Sequence, residues 1–522
     1  MRAQIQHIII QAGGKGTRME HLCANKPKGL IPINGQPLIL RMMTQQPAAH
    51  FYIIADYQKE VLRKYLAVYA KASYTLIETN GHGNCAGIKD TLAAIPPAEP
   101  FALLWCDLLF EKELWPQDLC LDLHNYIGLS RDFVCRWKFE QNAFFEEASD
   151  SCGIAGVYLF RSKRVLDALP RSGEFCSFLQ HSGTSFSPYF LEGASEVGTL
   201  ESYRTLCARY PVARPFNTIV FEENCVIKSP RNSLGAVLAA YEQNWYEKVK
   251  HEQWSFLPEI YQTNPLHMQR LSGGPLYKTP LAAAEKISVL TALINHLQEI
   301  HQGLPVRTGD FADNNTEALI AKTKRRLDSI ASLIPLMEKD HIVVNGKRCI
   351  NFYQRWDLVT RAVSPFFSNQ YSLIHGDCTF SNTLYDEETK ALFLIDPRGY
   401  FGMLPFYGDV DYDWAKLYYS LVGNYDQFNA KEFRLTFADN NEVLLGIASN
   451  GWDHLSDKFF ALTGRPRLKI QVFHAMIWLS LASYAFDDYD SICGAFYMGI
   501  YQLQQTCESL GQSGILLENN NS

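Results

Sequence analysis

The sequence predicts an α/β protein of more than one domain, on three observations. Over the first two hundred residues, short apolar segments alternate with amphipathic helical ones. Two prolines then interrupt the pattern between Tyr210 and Phe216, and beyond them a hairpin-like pair of strands leads into long helical stretches. At 522 residues the chain is also too long for a single hydrophobic core.

The elements follow from local pattern. His7–Gln11, Phe51–Ala55 and Phe101–Trp105 are apolar enough to be buried strands, and Lys59–Ala70 has the spacing of an amphipathic helix between them. Such alternation argues a mainly parallel sheet covered by helices. Thr218–Phe221 and Cys225–Lys228, joined by Glu222-Glu223-Asn224, read as a hairpin. Helices are expected over Ser233–Val249, Ala282–His301 and Thr316–Met337, and one more strand-rich stretch near Tyr371–Pro397. Mostly helix should follow, ending in a polar, Asn-rich tail expected to fray. The domains expected are therefore 1–212, 213–300 and 301–522.

Composition narrows the function classes. A hydrophobic share of 47%, a charged share of 20% and a net charge of −7 describe an ordinary globular protein with no basic field for nucleic acid or anionic lipid. No apolar run approaches the roughly 18 residues of a membrane span, and Ile8–Ile10 is too short for a signal segment. The expectation is a cytoplasmic enzyme acting on a small molecule, without nucleic-acid partner or membrane insertion, and free to form a homo-oligomer. The thirteen cysteines show no C-x-x-C pair, so they read as reduced, mostly buried thiols.

Strand His7–Ile10 runs into Gln11-Ala12-Gly13-Gly14-Lys15-Gly16-Thr17-Arg18. A Gly-rich loop after a buried strand lets backbone amides approach phosphate closely, although alone it is equally a generic turn. Lys26-Pro27-Lys28-Gly29-Leu30 adds cations, and Asn34-Gly35-Gln36-Pro37-Leu38 adds a turn into a helix. In this order the segments resemble the sugar-phosphate nucleotidyltransferases, over roughly residues 5–210. Further matches are Gly81–Ile88, Leu104-Trp105-Cys106-Asp107, Gly153–Tyr158, and Glu196-Val197-Gly198-Thr199-Leu200-Glu201-Ser202-Tyr203, where Glu196 replaces the usual Asp.

The resemblance implies a Rossmann-like, mixed or parallel sheet of the GT-A-like kind. It implies that Ala12, Gly13, Gly14, Gly16, Thr17, Gly83 and Asn84 bind nucleotide, that Arg18 and Lys28 are catalytic, that Asp107 and Glu196 hold Mg²⁺, and that Gly156 meets substrate. The substrate is an NTP, with CTP or UTP favoured.

A second constellation lies downstream. His375-Gly376-Asp377 follows the apolar Tyr371–Ile374 run, Asn382 stands five residues beyond Asp377, and Asp396 ends strand Ala391–Ile395. The D-x-x-x-x-N spacing is that of a kinase catalytic loop. This half resembles the aminoglycoside phosphotransferase and choline kinase family, which implies an α+β, protein-kinase-like bilobal domain: N-lobe 213–300 and a largely helical C-lobe 301–522. By that resemblance Asp377 accepts the substrate proton, Asn382 and Asp396 bind Mg²⁺ with ATP, and Lys228, paired with Glu242, binds the ATP phosphates. His375 is expected to brace the loop, and Arg398 to meet an anionic or polyhydroxylated substrate. Asp409, Asp411 and Asp413 read as a solvated helix N-terminus, with Asp413 bracing the loop.

Together the halves imply phosphorylation of a small hydroxylated substrate, a sugar in first place, by ATP. Nucleotidyl transfer to the new phosphate would then give an NDP-activated precursor for capsule or lipopolysaccharide. The alternatives are an amino alcohol such as choline carried to a CDP derivative, and one half that only binds nucleotide.

Overall fold

The computed structural model describes residues 5–79, 81–116, 118–209 and 217–512. The proline-interrupted run Tyr210–Phe216 and the Asn-rich tail, 513–522, lie outside the described residues. The chain divides into two compact units, Met1–Val212 with Asp487–Tyr489 and Ala213–Phe486 with Asp490–Ser522.

The first unit is built on a nine-stranded mixed sheet. Its first strand, His7–Gln11, runs parallel to Phe101–Trp105 on one side and to His50–Ala55 on the other, with Tyr74–Glu78 parallel beyond. Ile8, Ile9 and Ile10 are fully buried, as a central parallel strand covered on both faces requires. Gly153–Phe160 adds antiparallel to Phe101–Trp105, and Tyr126–Ser130 antiparallel to Gly153–Phe160. The expected parallel centre is thus present, extended by antiparallel strands at one side.

The chain leaves His7–Gln11, builds the sheet toward Tyr74–Glu78, then returns to place Phe101–Trp105 on the opposite flank. A crevice opens outside the carboxyl ends of strands wherever the winding reverses in this way. Gln11 and Trp105 are directly paired, so the loop after one strand and Asp107 after the other emerge side by side. The Asn34-Gly35 turn has positive φ at both residues and joins Pro32–Ile33 to Gln36–Pro37, from which helix Leu38–Gln45 starts.

The second unit opens with a four-stranded antiparallel sheet. Asn217–Phe221 and Cys225–Pro230 form the hairpin, with Ile219 opposite Lys228; Leu266–Gln269 pairs on the far side and Ile260–Gln262 beyond it. Lys228 therefore sits on an inner strand. Helix Ser233–Val249 follows, its N-terminus capped by the Asn232 side chain, which accepts from the Gly235 amide. Helix Ala283–Gln302 is continuous through residue 300, across the expected lobe division.

Two expectations need correction here. The helix expected over Thr316–Met337 is instead Ala312–Asn315, a π-helical turn Thr316–Ala321, and Lys322–Asp328. Pro335 holds Ile334 in extended backbone, so no helix can run through it. The C-terminal part also contains a sheet that the pattern reading passed over, in the order Lys347–Ile350, His341–Val344, Glu442–Ile447, Phe433–Phe437. No helix among the described residues is long and apolar enough to cross a membrane, and none of the thirteen cysteines forms a disulfide.

Candidate active sites

The first site grows from the loop after His7–Gln11. Gly16 has φ 62°, and a Cβ there would stand 2.8 Å from Cys23 Sγ, so only glycine fits. The Ala12 amide donates to the Ile54 carbonyl and is already committed. Among the described residues the amides of Gly14, Lys15 and Gly16 have no internal partner, and a Cβ at Gly14 would meet open space. This is the geometry of an anion cradle. Thr17 and Arg18 open the short helix Thr17–Cys23, whose Met19 and Leu22 pack with Val197 and Tyr203.

That packing gathers the charged groups. Lys28 is largely buried, and its Nζ lies 2.5 Å from Asp107 Oδ2. The Asp107 carbonyl accepts from the Val197 amide at 2.8 Å, and strand Ala194–Glu196 pairs with Leu108–Phe110, which sets Glu196 beside Asp107. Burial, and then the Asp107 charge, raise the Glu196 carboxyl above its usual range. Arg18, well exposed, reaches Glu196 at 3.6 Å. Two carboxylates, two cations and a row of unused amides thus converge at the crevice. The donor set fits Mg²⁺, which takes one or two carboxylates and completes its shell with water and substrate phosphate.

The remaining residues expected in this site have structural attachments of their own. Gly83 has φ 80°, and a Cβ there would lie 2.3 Å from the Gly173 carbonyl oxygen. The Asn84 side-chain oxygen accepts from the Phe175 amide at 2.7 Å, so it fastens the helix Asn84–Leu92 to that loop. Gly156 has φ 83° and lies against Trp105, whose ring a Cβ would approach to 2.9 Å. Trp105 also packs on Tyr158 and Phe175. The motif reading gave this indole no part, although its position two residues before Asp107 was a signal.

The second site lies wholly within the other unit. Lys228 Nζ contacts Glu242 Oε2 at 2.7 Å and Asp396 Oδ1 at 2.9 Å. Burial pulls the Lys228 pKa down, but Asp396 and Glu242 outweigh it and the net direction is up. Burial pushes the Glu242 carboxyl up to about 7 in spite of Lys228. Asn382 Nδ2 donates to the Asp377 carbonyl at 2.8 Å and to Asp377 Oδ2 at 3.1 Å. The Ile395 amide donates to the Asn382 carbonyl, which draws the Asp396 strand to the loop. Asp396 has φ 59°, a left-handed conformation that Asp adopts more readily than most non-glycine residues. Asn382 and Asp396 are the hard donors that Mg²⁺ takes beside nucleotide phosphates.

The loop is braced from below. Asp413 accepts from the His375 amide at 2.8 Å and the Gly376 amide at 2.6 Å, and His301 Nε2 lies 3.0 Å from the same carboxylate. Buried His375 accepts the Arg398 amide on its carbonyl at 2.7 Å, and burial lowers its pKa. A Cβ on Gly376, φ 81°, would stand 2.8 Å from Arg398 Cβ. Asp426 accepts from the Ser381 amide at 2.8 Å. The acidic trio is corrected: Asp409, Asp411 and Asp413 are buried, not solvated. Asp409 and Asp411 pair with Lys469 at 2.7 and 2.9 Å, and Asp411 also with Arg465. Lys416, which no motif singled out, lies 2.9 Å from Asp377 Oδ1.

With both constellations placed, comparison defines the class of the first. Residues 8–171 match the MobA-like NTP transferase domain, and the N-terminal half carries such a domain. Over 131 residues the chain is 29% identical to the bifunctional protein GlmU of Methanococcus maripaludis strain C5, a match covering 24% of this chain and 29% of that one. The GlmU of strain S2 is 31% identical over 127 residues, covering 23% and 29%. The chain thus spans about three-tenths of the length of the curated relatives it matches. Among solved structures, the CTP:phosphocholine cytidylyltransferase of Streptococcus pneumoniae is similar at 17% identity and TM-score 0.32, covering 39% of this chain and 99% of that one.

Proposed function

We propose that the chain is a bifunctional transferase that phosphorylates a small hydroxylated compound with ATP and then activates the phosphate ester with an NTP. One observation carries the coupling: two phosphate-type sites built of lysine and carboxylate lie in separate units of one chain, and one forms the class of compound that the other consumes.

At the second site the substrate hydroxyl gives its proton to Asp377 as its oxygen attacks the γ-phosphorus of ATP, and the bond to the ADP oxygen breaks. Asn382 orients Asp377, and Lys228, held by Glu242, balances charge on the nucleotide phosphates. At the first site an oxygen of the phosphate ester attacks the α-phosphorus of the NTP and pyrophosphate leaves. The amides of residues 14–16 and the Arg18 and Lys28 cations stabilise the charge that develops. Asp107 and Glu196 in one site, and Asn382 and Asp396 in the other, would hold Mg²⁺, which would supply Lewis acidity to the phosphoryl oxygens. The product is an NDP-activated compound of the kind consumed in cell-surface polysaccharide assembly, as in capsule or lipopolysaccharide.

The test is pyrophosphate release by the full chain with Mg²⁺, ATP, each NTP in turn and a panel of unphosphorylated sugars and amino alcohols. Release that requires ATP together with one further NTP establishes the sequence. ADP formation without pyrophosphate, even with phosphate esters supplied, refutes the first site as a catalyst.

A further inference from the structure

Beyond Asp377 lies a group of cations that the phosphoryl-transfer reading does not use. Lys322 and Arg326 stand one turn apart on helix Lys322–Asp328, and so on one face of it. That helix packs on Arg467–Leu481, which packs in turn on Val410–Leu421, the helix carrying Tyr412 and Lys416 one turn apart. Arg326 donates to Ser480 Oγ at 2.5 Å and stacks over Tyr484, 4.1 Å from its centroid. Arg398 donates to the Tyr412 hydroxyl at 2.7 Å, and its backbone is pinned to His375, two residues before Asp377.

Among the described residues, Lys322, Arg326 and Arg398 have no carboxylate partner, and Lys322 makes no hydrogen bond at all. Glu317 acts on Lys322, but its carboxylate is taken by Arg325 at 2.5 Å. Burial first, then Arg398, Arg326 and Lys416, depress the Lys322 ammonium well below the usual lysine range. Arg398 acts on Arg326 as well: burial first and then Arg398 lower it, against Tyr484, Tyr400 and Tyr412, and the net direction is down. Four cations therefore act on one another, and among the described residues Asp377, held by Lys416, is the one carboxylate that any of the four contacts. Secluded, like-charged groups of this kind are costly unless a ligand supplies the opposite charge, and guanidinium groups fixed against tyrosine rings are preorganised for an oxyanion.

We propose that the hydroxyl compound phosphorylated at Asp377 is itself an anion, its carboxylate or phosphate held by Lys322, Arg326 and Arg398. This rests on the kinase reading of the second site. The nucleotide is not what these groups await, because Lys228, Asn382 and Asp396 already converge as its phosphate and metal donors. An amino alcohol such as choline would bring a fifth cation into the group.

The experiment uses the full chain and pairs of acceptors that differ by one anionic group: glycerol and glycerol 3-phosphate, D-glucose and D-glucuronate, D-glucitol and D-gluconate. ADP formation should favour the anionic member of a pair at least tenfold in kcat/KM. Lys322→Gln combined with Arg326→Gln should abolish the preference through KM for the acceptor, not for ATP. Equal or better use of the neutral members, or a rise confined to KM for ATP, overturns the proposal. Sulfate binding by equilibrium dialysis reads the anion site without turnover: the double variant should bind at least tenfold more weakly, and equal binding also overturns it. If no acceptor yields ADP and Asp396→Ala leaves Mg–ATP binding intact, the kinase reading falls, while the sulfate result still decides the anion site. The melting temperature of the variant, measured alongside, checks that both proteins compared are folded.

Discussion

At the scale of single residues the two proposed chemistries should be separable. Asp377→Ala should lower ADP formation about a thousandfold, the range for a lost base, while pyrophosphate release from supplied phosphate ester persists. Asp107→Ala should do the reverse. Loss of both activities in either folded variant would refute independent sites. Asp426 sets a pH dependence of stability. Burial raises its carboxyl from 3.8 to about 6, so the folded protein keeps a proton that the unfolded chain releases. Stability from this group is therefore complete below about pH 4 and is lost as pH rises through 6. Asp426→Asn, which still offers an oxygen to the Ser381 amide, should flatten that slope and stabilise the protein at pH 7 by on the order of 1–3 kcal/mol, read by urea denaturation at pH 4, 5, 6 and 7. Sequence could not show this carboxyl as buried, because Tyr425–Asn429 has no apolar run to announce it.

Elements that position the sites are testable by their ends. Asn232→Ala removes the cap of the helix that carries Glu242 and should cost about 1 kcal/mol in denaturant unfolding. Gly16→Ala must hold an alanine at φ 62° against Cys23 Sγ, at roughly 1–2 kcal/mol, and should slow pyrophosphate release as the cradle distorts. Unchanged release would remove the loop from the site. What was legible here followed from strong local signals. The apolar runs at His7–Gln11 and Phe101–Trp105 declare buried strands, and Lys228 with Glu242 follows from a hairpin leading directly into a helix. Two signals went unread: the Asn345-Gly346 turn, both residues at positive φ, marks the hairpin His341–Ile350, and Pro335 forbids the long helix. Lys416 carried no signal, since a lysine on a helix ordinarily reads as a solvated face. Only the Cα trace that sets Val410–Leu421 beneath the loop reveals it.

For the whole molecule, the proposed sequence makes a phosphate ester at one compact unit and consumes it at the other, and exchange of that ester with solvent is the expectation to test. Mixing the Asp107→Ala and Asp377→Ala proteins should then restore formation of the activated product, at a rate rising with the concentration of either protein. Failure of the mixture, with each variant folded, would mean that the intermediate does not exchange. The MobA-like domain accounts for residues 8–171, and its order of motifs was readable along the chain. The cation group of the second unit was not, because Lys322, Arg326, Arg398 and Lys416 are scattered over some ninety positions and meet only through tertiary packing.

The π-helical turn Thr316–Ala321 carries one residue more than an α-helical turn of the same rise, and so advances everything after it by about 100° around the axis. Lys322 and Arg326 owe their heading to that advance. Deleting one residue from the turn, with no side chain of the group altered, would swing both cations to another side of the helix. Under the anion-site proposal, the loss of that one codon changes the charge of the compound accepted.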